Sequence, residues 1–215
     1  MRPTRINGVA ESWGGGLARL HGLPCDGFGT LRELHGNNCV AFLSDLLMKE
    51  QAPLSQFDPL LASRYVEQVG ATLAEPDLAT RPPCFVHGDV HARNILVQDR
   101  RVVWLDWEAC RRRLPEFDFA QLPFTTWRGA DGLRDAMIAG YRATRGGPPP
   151  LSAALLHLMQ LYWHVRFGLF LKDCRLPIDF AYFGTFQDHL DRARELVSAQ
   201  PEDWTRSLAG KGTSP

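Results

Sequence analysis

The run HGDVHARNILVQDRRVVWLDWE, residues 87–108, joins two short β-prone segments through a tight connection. NILVQ and RVVWLDW are separated only by Asp99 and Arg100, so the spacing predicts a hairpin in which Ile95–Val97 pairs with Val102–Leu105. Three polar side chains, Asp89, Asn94 and Asp106, each stand beside a β-prone run. Asn94 follows Asp89 closely enough for one loop, and the returning strand carries Asp106 back towards Asn94. A carboxylate and an amide carbonyl meeting there are hard oxygen ligands, suited to Mg²⁺ held jointly by protein and phosphates. Asp89, one loop away, is placed to accept or orient the proton of a hydroxyl. Each residue alone reads as a turn or cap. Their coincidence, with Gly88 freeing the backbone before Asp89, favours chemistry.

On either side of this run the sequence reads as helical. Residues 14–16, GGG, suggest a flexible start to a short helix over LARLHGL that ends near Gly22. PCDGFGTLRELHGNN is rich in turn formers and reads as a surface loop. CVAFLSDLLMKEQ is a helix with Asn37 or Asn38 as its cap, and Asp58–Leu73 is another. CFV, ahead of Gly88, is a third β-prone run. After Trp107 the polar run EACRRRLPEF leads to DFAQL, which opens a helix near Asp118. Residues 131–147, Leu151–Lys172 and Phe186–Ser198 complete the helices. The pattern is α+β, mainly helical with a small β-insert, and it lacks regular βαβ alternation.

Of the 215 residues, 45% are hydrophobic and 22% charged, enough to bury a core. Twenty-four basic residues balance twenty-four acidic ones, so no global field draws in nucleic acid or an anionic membrane. The five cysteines show no CxxC spacing and no even count, and the N-terminal residues lack an apolar h-region; a cytoplasmic setting is expected. The apolar stretch 151–173 is interrupted by His157, His164 and Arg166 and reads as a buried helix rather than a membrane span.

His87-Gly88-Asp89-x-His91-x-x-Asn94-Ile95-Leu96, then Leu105-Asp106-Trp107-Glu108 and Asp118-Phe119-Ala120, together resemble the aminoglycoside phosphotransferase and choline kinase-like family, whose fold is a variant of the protein-kinase fold. The resemblance implies transfer of the γ-phosphoryl of ATP or another NTP to a small-molecule hydroxyl, such as that of an aminoglycoside or amino alcohol. It implies that Asp89 is the catalytic base, that His87 supports its loop, that Asn94 and Asp106 bind Mg²⁺, and that Asp118 helps hold the lobe together. Where the family often has proline and glycine this chain has Ala92 and Arg93, and Arg93 becomes a candidate for contact with the nucleotide. His91, Trp107 and Glu108 are candidates on the substrate side, and Asp179 and Asp188 are further acids that would attract a cationic amine. Trp163 reads as a core residue that would otherwise stack on a sugar.

Such enzymes carry an N-terminal β-lobe, and nothing ahead of His21 has the length for one. The expectation is therefore a single kinase-like C-lobe over residues 1–208, with a helical part at 14–80, the catalytic loop and hairpin at 82–108, and a helical substrate-side part at 116–200. Residues 209–215 are expected to be a disordered tail. Two other readings stay open. One is a catalytically inactive lobe that binds a missing N-lobe polypeptide or self-associates through exposed apolar surface. The other is a metallohydrolase built on His87-x-Asp89-x-His91, whose alternating residues share a face on extended backbone.

Overall fold

A computed structural model describes residues 3–99, 101–127, 131–147, 151–173 and 184–199. Nine helices and six short strands run through these residues. Helix α1 (Pro3–His21) leads to β1 (Phe28–Thr30), β2 (Leu34–Gly36) and α2 (Cys39–Leu47). A single 3₁₀ turn then joins α2 to α3 (Gln51–Ser55), and α4 (Pro59–Leu73) follows. Strands β3 (Cys84–Val86), β4 (Ile95–Gln98), β5 (Arg101–Trp104) and β6 (Arg111–Arg113) surround the expected site. The chain ends in α5 (Glu116–Phe119), α6 (Leu122–Thr125), α7 (Asp131–Arg145), α8 (Ala153–Asp173) and α9 (Phe186–Ser198).

The helix starts are fixed by local chemistry. Asn38 caps α2 by accepting from the Ala41 N–H at 3.0 Å, and Asp58 caps α4 by accepting from the Leu61 N–H at 2.9 Å, with Pro59 in the first turn. In α9, Thr185 and Asp188 form a reciprocal capping box. That bond accounts for Asp188, a candidate acid for a cationic amine on sequence grounds, as a structural cap. Helix α8 is apolar around most of its circumference and packs against α4, α5 and α9. Its His157 and His164 are buried.

The glycine run at 14–16 lies inside α1, not ahead of it. A Cβ on Gly14 would stand 1.8 Å from the Met137 carbonyl oxygen, and one on Gly140 would stand 2.0 Å from the Glu11 carbonyl oxygen. The small residues therefore let the backbones of α1 and α7 touch, the most extensive helix pairing among the described residues. Consecutive glycines weaken an isolated helix by about 1 kcal/mol each. Tertiary packing holds this one, which is why glycine read as flexibility pointed the wrong way.

Two small sheets form. The hairpin pairs Ile95 with Trp104, Leu96 with Val103, Val97 with Val102 and Gln98 with Arg101. Asp99 takes the left-handed conformation, φ +50°, that such a tight turn requires. The second sheet has order β2-β1-β6-β3, antiparallel throughout. It was not expected: β1 and β2 come from the stretch read as a surface loop, and β6 is the arginine run. Its register pairs Val86 with Arg111, so that the chain leaves β3 directly into His87 and Gly88.

Candidate active site

Gly88 follows β3 at φ +84°, and a Cβ there would lie 2.3 Å from the Ala109 carbonyl oxygen. Only glycine fits both the dihedral and the gap. This turn sends Asp89 away from the sheet and starts a loop pinned from several sides. The buried carboxylate of Asp118 accepts at Oδ2 from the His87 N–H (2.9 Å) and His21 Nε2 (3.0 Å), and at Oδ1 from the Gly88 N–H (2.8 Å). Gln121 Nε2 donates to the Gly88 carbonyl at 2.9 Å, and the Thr125 hydroxyl donates to the Val90 carbonyl at 3.1 Å. His87, fully buried, donates from Nε2 to the Leu105 carbonyl (2.8 Å) and packs between the rings of Trp104 and Trp107. It ties the loop to the end of β5.

Asp89 is fixed at one oxygen. Its Oδ2 accepts from Asn94 Nδ2 at 2.7 Å and lies 3.3 Å from His91 Nε2, while Asn94 Nδ2 also reaches the Asp89 carbonyl at 3.1 Å. Partial burial pushes the Asp89 pKa up, but the hydrogen bonds from His91 and Asn94 and the nearby imidazoles outweigh it. The carboxyl is held below the ordinary range. At neutral pH it is therefore an oriented carboxylate, with Oδ1 making no hydrogen bond among the described residues.

The Leu105 N–H donates to the Asn94 carbonyl at 2.9 Å, which continues the hairpin pairing by one step and sets Asp106 beside Asn94. Asp106 adopts φ 58°, ψ 62°, a left-handed conformation that costs a non-glycine residue roughly 1 kcal/mol. Its side chain is exposed. The Asn94 amide gives its nitrogen to Asp89 and keeps its carbonyl oxygen for another partner. No cluster of three His, Cys, Asp or Glu side chains able to hold a metal occurs among the described residues. Two oxygen donors fit a Mg²⁺ ion that takes its remaining ligands from phosphates and water.

The hydrolase reading loses its geometry. His87 spends Nε2 on the Leu105 carbonyl and points Nδ1 at the Asp89 N–H, 3.4 Å away, while His91 accepts from the Arg93 N–H at Nδ1 (3.2 Å) and turns Nε2 to Asp89. The two imidazoles do not converge on one ion. Arg93 itself is exposed on the short 3₁₀ turn 92–94.

Asp89 and His91 sit at the edge of a cavity of about 600 Å³, whose far wall is built by α8. Trp163, read from sequence chiefly as core, lines this cavity with Phe167 stacked on it at 5.2 Å. Trp107 and Glu108, expected on the substrate side, are not in its lining; the Trp107 indole N–H donates to the Trp104 carbonyl at 3.2 Å. Asp179 lies outside the described residues. Gln121 and Thr125 are site residues that sequence reasoning missed. Their spacing of four on consecutive turns was the available signal, since it puts both on one helical face.

A family model for the phosphotransferase enzyme family matches residues 1–153. The chain belongs to that family. Among solved structures, a choline/ethanolamine kinase family protein from Mesorhizobium loti superposes with TM-score 0.61 at 21% identity, over 97% of this chain and 69% of that one. The streptomycin–ATP–APH(2″)-IIa ternary complex gives TM-score 0.56 at 15% identity, over 94% and 65%. A macrolide 2′-phosphotransferase type I gives 0.53 at 20%, over 89% of this chain and 59% of that chain. This phosphotransferase-family chain thus shares their kinase-like fold and spans about three fifths to two thirds of their length. No curated protein sequence matches it. No helix among the described residues is long and apolar enough to cross a membrane.

Proposed function

We propose that the chain transfers the γ-phosphoryl group of ATP, or another nucleoside triphosphate, to a hydroxyl of a small molecule such as an aminoglycoside or amino alcohol. The observation that carries this reading is the placement of Asp89: a carboxylate fixed at one oxygen by Asn94 and His91, with its other oxygen unspent, at the rim of a cavity of small-molecule size. In phosphoryl transfer the protein mainly positions and stabilises charge. Asp89 orients the acceptor hydroxyl and takes its proton as the new P–O bond forms. Asp118, Gln121 and Thr125 hold the loop so that this carboxylate needs no rearrangement. Asn94 and Asp106 would hold Mg²⁺, which when bound neutralises phosphate charge. The ATP named in the APH(2″)-IIa complex supports nucleotide use by the shared fold.

A second reading is favoured by one observation. Leu96 and Val103, cross-strand partners on one side of the hairpin, are 56% and 46% exposed, an apolar face that suits contact with a further polypeptide or another copy. On that reading the lobe binds and does not turn over. Measuring ADP release from ATP and Mg²⁺, with streptomycin, choline, ethanolamine and an anionic alcohol, 3-(hydroxymethyl)benzoate, offered as acceptors, separates the two. Acceptor-dependent ADP is expected on the first reading, and its absence with every acceptor contradicts it.

A further inference from the structure

The acceptor cavity holds five charged residues: Glu50, Asp89, Arg113, Arg166 and Asp173. Arg166 donates to Glu50 at 2.9 Å, so those two compensate each other. Asp89 is held at Oδ2 by His91 and Asn94, and its Oδ1 is assigned to the acceptor hydroxyl. Arg113 is different. It makes no ion pair and no side-chain hydrogen bond among the described residues, and its guanidinium carbon lies 4.6 Å from the centre of the Phe117 ring.

The other two arginines of β6 show what this means. Arg111 donates to the carbonyls of Glu108 and Cys110 at 2.6 and 2.8 Å, and Arg112, on the opposite face of the strand, donates to the Leu31 carbonyl at 3.2 Å. Of three consecutive arginines, the one that lines the cavity is the one with no acceptor. The acids nearest in sequence are already taken: Glu116 by Arg81 and the Ser152 N–H, Asp118 by His21 and the loop amides. Tyr162 of α8 packs its ring against Phe117, beneath Arg113, and Asp173 lies eleven residues further on, about 16 Å along the helix axis. Burial pushes the Arg113 pKa down from its ordinary value without discharging it. A partly buried arginine that lines the cavity and keeps its donors without an acceptor among the described residues is a ready partner for an anion that enters.

We propose that Arg113 binds an oxyanion of the acceptor, so that the molecule phosphorylated here is a small alcohol carrying a carboxylate or phosphate group. The planar guanidinium fork matches either group in two-point contact. Trp163 and Phe167, across the cavity, supply a flat apolar face for the body of the molecule. A polycationic acceptor would set its ammonium groups against Arg113. The role of Asp89 towards the hydroxyl rests on the phosphotransferase reading; the anion contact does not.

The test is calorimetric binding, without nucleotide, of three probes that share one ring and one hydroxyl: 3-(hydroxymethyl)benzoate, 3-(hydroxymethyl)phenyl phosphate and the neutral 3-(hydroxymethyl)benzamide. At least one anion is expected to bind tenfold or more tightly than the amide, and the preferred anion identifies the group. Arg113→Gln should bring that anion to the level of the amide, and Arg113→Lys should restore part of the preference, with melting temperatures showing that both variants fold. Equal binding of all three probes, an Arg113→Gln variant that keeps the preference, or no binding by either anion would each overturn the proposal. Because binding is read without turnover, failure of ATP-dependent transfer would remove the phosphotransferase reading and leave an Arg113-dependent preference standing.

Discussion

Asp118→Asn isolates the device that holds the loop carrying Asp89. The carboxylate is fully buried, with Oδ2 accepting from the His87 N–H and His21 Nε2 and Oδ1 accepting from the Gly88 N–H. An amide of the same shape has one oxygen. Its less costly orientation keeps oxygen towards His87 and His21 and turns NH₂ against the Gly88 N–H, so one bond is lost and two donors face each other. Losing a hydrogen bond to a charged group costs about 1.5–3 kcal/mol, and the two surviving bonds each weaken by roughly 0.5–1 kcal/mol without the charge. The expected destabilisation is about 2.5–5 kcal/mol, read as a lower urea midpoint by far-UV circular dichroism with unchanged slope. Gln121 still holds the Gly88 carbonyl, so the loop is loosened rather than released. A loss under about 1 kcal/mol would refute the claim that Asp118 is the main anchor of the loop.

Three other perturbations follow from the same geometry. Asp89→Ala should spare nucleotide binding but slow acceptor phosphorylation by about 10²–10⁴ in kcat; an unchanged rate removes Asp89 from its role. Gly14→Ala should destabilise by about 2 kcal/mol, because its Cβ meets the Met137 carbonyl, whereas Gly70→Ala in α4 meets nothing within 4 Å and should stabilise by up to about 1 kcal/mol. Equal effects in denaturant melts would contradict the backbone contact of α1 with α7. Stability should also fall in mild acid. Burial, then the neighbouring His189 and Arg192, depress His164 to about 2, and burial depresses His157 as well. The unfolded chain therefore takes up protons below about pH 6.5 while the folded one does not, which removes roughly 2.5 kcal/mol through His164 alone by about pH 4.5. Asp89, depressed as a carboxylate, loses its contribution only at lower pH. Urea midpoints that stay flat from pH 7 to 4.5 would show that these histidines protonate in place.

What the sequence disclosed was what local chemistry decides. The hairpin, the capped helices α2 and α4, and α9 follow from turn residues, caps and periodicity, and the structure gives α9 the expected bounds, Phe186–Ser198. The loop between Gly88 and Asn94 was legible because glycine, aspartate and asparagine at that spacing fit one chemistry. The four-stranded sheet was not. Arg111, Arg112 and Arg113 look like a solvated charge run, yet they pair as a strand with β1 and β3, and Arg112 lies over the Phe85 ring, contacts that belong to partners distant in sequence. Likewise the glycines of α1 gain their helix from α7, some 120 residues away. His21, Gln121 and Thr125 entered the site through tertiary hydrogen bonds; the spacing of four puts Gln121 and Thr125 on one helical face but does not say which loop that face meets. Trp163 appeared to be core because its helix is apolar on nearly every side, and only the packed structure shows which side faces a cavity.

The central claim is that Asn94 and Asp106, brought together by the hairpin, form with Asp89 a working phosphoryl-transfer site. Its most direct test is calorimetric titration of the monodisperse chain with ATP in the presence and absence of Mg²⁺, beside an Asp106→Ala variant shown to fold. Saturable binding that requires Mg²⁺ and is lost in Asp106→Ala is the predicted result. Mg²⁺-dependent binding of equal affinity in the variant would contradict the role assigned to Asp106, and no binding by the folded chain would contradict a nucleotide site in this lobe.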